Sequence, residues 1–206
     1  MDPAYAGIVG TVTGAILTAG FGLGRELLIN HGARKRKATY LSIRISCLLD
    51  RYVDGCLDVV NDAGTSYGRP SNINGCYDPT VSHPKLDFQS IDVDWQALSP
   101  KLMYKILSFP NKIEDANNQI RGISEYVADP PFYSELFEER QLQYSILGIE
   151  SAALASELRE EYDFPLREYG EWNPIRYMEE RRDKICSQRI EKEASHKALL
   201  ADPTNI

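Results

Sequence analysis

The sequence predicts an all-α protein: a single N-terminal transmembrane helix followed by a cytoplasmic helical bundle of about four helices. Three observations predict it. A charge-free stretch of bilayer length lies near the N-terminus, apolar residues recur at steps of three and four along most of the remaining chain, and no alternating strand pattern of convincing length occurs. The expected organisation is an anchor and juxtamembrane segment over 1–32, a bundle over 33–200 with a long irregular connection at about 64–94, and a tail over 201–206.

The anchor is expected at residues 4–24, twenty-one residues with no charge and no proline. At about 1.5 Å rise per residue they span roughly 30 Å, the thickness of a hydrocarbon core. Only Asp2 is charged ahead of them, so the basic n-region of a secretory signal is missing. Positive charge follows instead, at Arg25 and then at Arg34, Lys35, Arg36 and Lys37. The positive-inside rule therefore leaves the N-terminus outside and the C-terminal domain in the cytoplasm. The same basic residues are placed to meet anionic headgroups, at about 1 kcal/mol each.

The anchor is only moderately apolar, its strongly hydrophobic members being Ile8, Val9, Val12, Ile16, Leu17, Phe21 and Leu23. Small residues recur every four positions, at Ala6, Gly10, Gly14, Thr18 and Gly22. In lipid such a stripe lets helix backbones approach closely, which predicts a homo-oligomer or a partner membrane protein.

The first bundle helix is expected over about 33–63, with Leu41, Ile45, Leu48, Tyr52, Cys56, Val59 and Ala63 on one face, widened by Leu49, Val53, Leu57 and Val60. That width marks it as the most buried helix. Residues 64–94 are rich in Gly, Ser, Asn and Pro, with turn signals at Asn74-Gly75 and Asp78-Pro79. Tyr67, Tyr77, Phe88 and Trp95 are the aromatic residues that would anchor this connection. Ser99-Pro100 is a cap followed by the imino acid suited to a first helical position. The helix it starts carries Leu102, Ile106, Ile113, Ile120, Ile123 and Val127 inward, and Pro110 should kink or divide it near Phe109.

A further helix is expected over about 131–162, burying Leu136, Phe137, Ile146, Leu147, Leu154 and Leu158, with a strongly charged opposite face. Asn173-Pro174 then starts a last, mostly charged helix reaching about Leu200, whose aliphatic contacts are Ile175, Met178, Ile185 and Ile190. Its distal half is expected to project.

Composition excludes some functions. The chain has 206 residues, is 43% hydrophobic and 26% charged, and carries a formal net charge of −7. Such an acidic balance opposes nucleic-acid binding. Cys47, Cys56, Cys76 and Cys186 have none of the paired spacings of zinc or redox sites and read as reduced, mostly packing thiols. Glu193 and His196 have the Glu-x-x-His spacing of di-iron bundles, but only one copy exists. The acids Glu135, Glu138, Glu139 and Glu157, Glu160, Glu161 read as solvated helix faces with i,i+4 ion pairs. Gly64-Thr65-Ser66-Tyr67-Gly68-Arg69 lacks the lysine and hydroxyl residue of a phosphate loop. Arg181, Arg182 and Arg189 alternate with acids, which leaves the local field near neutral.

No catalytic, cofactor or metal residue is therefore assigned, and the chain is not expected to be an enzyme. The expectation is a membrane-anchored helical interaction or scaffold protein. Phe88, Trp95, Tyr169, Trp172 and Tyr177 are its candidate partner surface, and lipid is among its partners. The alternative is a membrane-disrupting effector whose spans self-associate through the small-residue stripe.

Overall fold

The computed structural model describes residues 3–88 and 94–201, with side chains described for 32–88 and 94–198. These residues form four α-helices: α1 Pro3–Asn61, α2 Pro100–Tyr126, α3 Ser134–Glu161 and α4 Pro174–Ala201. A two-residue hairpin, β1 Thr65–Ser66 and β2 Arg69–Pro70, is the one sheet among the described residues. The side chains of the expected span at 4–24, its small-residue stripe and Arg25 lie outside the described residues. Among the described residues no helix is long and apolar enough to cross a membrane.

Packing fixes the helix directions. Leu41, Ile45 and Leu49 of α1 share one apolar cluster with Leu98, Leu102 and Ile106, and with Leu154 and Leu158 of α3. Tyr52, Cys56 and Val59 share the other with Phe109, Ala116 and Ile120 of α2, and with Leu136, Tyr144 and Leu147 of α3. Thus α2 runs parallel to α1, and α3 runs back between them. Met178 of α4 lies at Gly148, and Arg189 reaches Glu138 at 2.7 Å, so α4 again points the way α1 does.

Parallel neighbours explain the long connection. After Asn61 the chain must return the length of the bundle, about 35 Å at 1.5 Å per residue from Ala38, before α2 can start. The α1 and α2 backbones stand apart, and residues 81–88 fill the space between them. Pro84 rests on Gly55 so closely that a Cβ there would stand 2.6 Å from the Pro84 Cβ. Val81 and Leu86 pack on one cluster, and Phe88 is buried in the other.

Several elements differ from the sequence expectation. The stretch expected as an anchor and juxtamembrane segment runs into the first bundle helix without a break, as one helix α1 of 59 residues, about 88 Å long. Gly32 does not break it, since glycine weakens a helix by only about 1 kcal/mol. Among the residues whose side chains are described, the most buried helix is α3 instead of α1. It contacts the three other helices, and it buries Glu139, Arg140, Gln141, Ser145, Ser151 and Arg159 alongside its apolar residues, which hides it from a hydrophobic count. Residue Pro110 lies inside α2, which continues through it as one element.

Helix starts divide the same way. At α4 the Asn173 carboxamide oxygen accepts from the backbone N–H groups of Ile175 and Arg176, as a cap should. At α2 the Ser99 hydroxyl makes no cap bond; the first turn starts from its carbonyl, which accepts from Met103 N–H at 2.9 Å. Beyond Arg189, residues 190–198 of α4 are exposed, including Ile190 at 69%.

Candidate functional site

The buried polar centre of the molecule is built where α1 ends. Asp62 has a fully buried side chain and accepts from the backbone N–H of Gly64 at 3.0 Å, Thr80 at 3.0 Å and Val81 at 3.1 Å, and from the Thr80 hydroxyl at 2.8 Å. Gly64, at φ +66°, turns the chain away from α1 where Phe137 leaves no space for a Cβ. Arg140 of α3 completes the cluster, with its Nη2 3.3 Å from Asp62 and donating to the Val81 carbonyl at 2.7 Å. Burial alone would raise the Asp62 pKa, but the bonds from Gly64, Thr80 and Val81 and the Arg140 charge outweigh it and hold the carboxyl below its ordinary value.

Arg140 also donates from Nη1 to His83 Nε2 at 2.8 Å. An arginine only donates, so the ring accepts at Nε2 and carries its proton on Nδ1. The half-buried His83 ring stacks on Tyr144, with centroids 5.2 Å apart, and the Tyr144 hydroxyl donates to Asn117 of α2 at 2.7 Å. Burial first and the Arg140 charge second pull the His83 pKa down from its ordinary value, which keeps the ring neutral near pH 7. His83, Asn117, Arg121, Tyr133 and Arg140 line a cleft of about 500 Å³, with Asp78 and Glu125 also on its wall.

The far end of the bundle adds an exposed apolar surface. Tyr67 sits at the hairpin tip in a left-handed conformation, φ 52°, and is fully exposed, as is Ile73. Tyr126 and Val127 at the end of α2, and Phe132 before α3, are also exposed. These loops are tied together: Tyr77 N–H donates to the Pro131 carbonyl at 2.9 Å, and the Tyr77 and Phe132 rings lie 5.5 Å apart. Loops held by a rigid scaffold are where binding residues concentrate.

The aromatic residues picked from the sequence fall into two separate places. Phe88 is a core residue, 4% exposed, with Trp95 half-buried against it at 6.3 Å. It is therefore not a surface residue, because the connection turns inward to fill the space between α1 and α2. Tyr169, Trp172 and Tyr177 cluster before and within the first turn of α4. Arg167 stands over the Tyr169 ring at 5.2 Å, and Trp172 is 55% exposed beside Tyr177. Arg167 itself pairs with Asp54 at 2.9 Å and donates to the Asp50 carbonyl at 3.2 Å, which fastens this loop to α1.

The basic residues Arg34, Lys35, Arg36 and Lys37 are exposed, one turn ahead of the first buried α1 residue described, Ala38. Arg34 donates to the Gln96 carbonyl at 2.8 Å. The acidic clusters are not merely solvated faces with pairs along one helix. Glu139 is buried, Arg189 of α4 binds Glu138 and Glu139, and Lys105 of α2 binds Glu157, so these acids pin neighbouring helices to α3. Glu193 and His196 lie on the exposed distal part of α4.

Of the four free cysteines only Cys56 is buried. Burial raises its thiol pKa far above the ordinary range, which suits packing rather than nucleophilic attack. The Asp62, Arg140 and His83 cluster carried no sequence signal of its own beyond the buried-charge rule that such groups must find each other. Comparison with known proteins finds no matching family model, no matching curated protein and no matching solved structure.

Proposed function

We propose that the chain is a membrane-anchored helical interaction protein, held by residues 4–24 in lipid with its bundle on the cytoplasmic side. One observation carries the reading. The charge-free stretch, the exposed Arg34 to Lys37 group and the core face beginning at Ala38 all belong to the single helix α1. A rod of this kind would hold the bundle at a set distance from the headgroups, with the basic residues at the interface contributing about 1 kcal/mol each. The small-residue stripe from Ala6 to Gly22 would then pack against a second copy or a partner span. The exposed Tyr67, Ile73, Tyr126 and Phe132 lie at the end of the bundle away from the lipid, where they would meet a partner protein.

Carbonate extraction of membranes, combined with protease protection of sealed vesicles, tests the anchor. The chain should stay in the membrane pellet, with the bundle digested only when the cytoplasmic face is open to protease. Release of the intact chain into the carbonate supernatant would remove the proposal.

A further inference from the structure

We propose that His83 is an acid-operated latch on the connection between α1 and α2. Protonating its ring turns the hydrogen bond from Arg140 into a repulsion and frees residues 81–88 from the space they fill. The geometry carries this. The ring accepts from a guanidinium at 2.8 Å, and only a neutral imidazole can accept. Arg140 cannot move aside cheaply, because it also holds Asp62 and the Val81 carbonyl and is 4% exposed. It cannot lose its own charge in this range either.

The groups around His83 decide whether a second charge is tolerated. From α3 it faces Arg140 and Tyr144, and from the end of α1 it meets Asp62 only through Arg140. Arg121, Glu114 and Glu125 of α2, with Asp78 and Lys85 of the connection, share the clefts on its two sides. Asp62 is already engaged by five donors, and its carboxyl stays ionised below its ordinary pKa, so it balances Arg140 and no more. Asp78, Glu114 and Glu125 are exposed, where water screens them, and Arg121 and Lys85 oppose them. Among the described residues that line these clefts, the imidazolium therefore has no buried counter-charge of its own.

The sign follows from linkage. With the folded pKa of His83 below its unfolded value, the latch is at full strength above about pH 6.5 and weakens as pH falls below it. One unit below that value the loss is bounded at about 10-fold in the closing equilibrium. Release would uncover Gly55, on which Pro84 now rests, and open the cleft that Pro84 and Leu86 share with Pro110 and Ile113 of α2.

Hydrogen exchange on the full chain in detergent, corrected for intrinsic rates, tests the latch at about pH 7.5 and about pH 5.5. The amides of Thr80 and Val81, held by Asp62, should lose protection in acid, by up to about 10-fold. The variant His83→Gln, whose amide oxygen accepts from Arg140 at any pH, should keep it. Equal acid loss in both proteins would overturn the proposal, as would unchanged protection in the wild type. Should the variant not fold, an NMR titration of the wild-type histidines decides. The release midpoint must coincide with that of the His83 ring, and coincidence with His31 or His196 instead would overturn it.

Discussion

At the scale of single residues, the fold depends most on charges removed from water. The Arg140 and Asp62 side chains are 5% and 0% exposed, whereas those of Lys112 and Glu150 are 57% and 39% exposed at a closer 2.7 Å. Proximity does not rank them; burial does. Asp62→Ala should cost about 3–5 kcal/mol in urea unfolding, because Arg140 would keep a buried charge with no counter-ion. Lys112→Ala should stay within about 0.5 kcal/mol. The ends of this centre were legible only separately. Asp62 sits in a stretch that reads as a helix terminus, and Arg140 in a helix that reads as charged on one side. Their union across 78 residues is a property of the crossover, which no local pattern encodes.

At the scale of elements, periodicity identified the helices and misjudged their rank. Leu41, Ile45, Tyr52 and Cys56 mark α1 by spacing, and all four are buried. Helix α3 hides its centrality because Glu139, Arg140, Gln141, Ser145 and Ser151 occupy buried positions that a hydrophobic count scores as surface. Gly148 is where this matters most. A Cβ added there would stand 2.6 Å from the Met178 sulfur and 3.1 Å from the Cys56 Cβ, at the meeting of α1, α3 and α4. Met178 can adjust at its flexible end, but a branched side chain leaves it no room. Gly148→Val should therefore destabilise the bundle by about 1–3 kcal/mol in urea titration despite its gain in helix propensity. A neutral or stabilising result would mean that α4 sits less tightly on α3 than these contacts indicate.

At the scale of the whole molecule, the arrangement follows from one topological demand. Helices α1 and α2 run parallel, so a long return is obligatory, and the return segment becomes part of the core rather than a free binding loop. The sequence marks residues 64–94 as irregular and their aromatic residues as anchors; it does not say which way α2 runs. Phe88 lies inside for that reason, while Tyr67 and Ile73, left at the turn, are exposed. The same scale carries the central claim, that one uninterrupted helix couples the charge-free N-terminal stretch to the bundle.

Electron-spin distances between labels at Thr18 and Asp54, in the full chain reconstituted into lipid vesicles, test that claim most directly. Thirty-six residues of continuous helix predict a narrow distribution centred at about 54 Å. A broad distribution with a markedly shorter mean would place a hinge near Gly32 and contradict it.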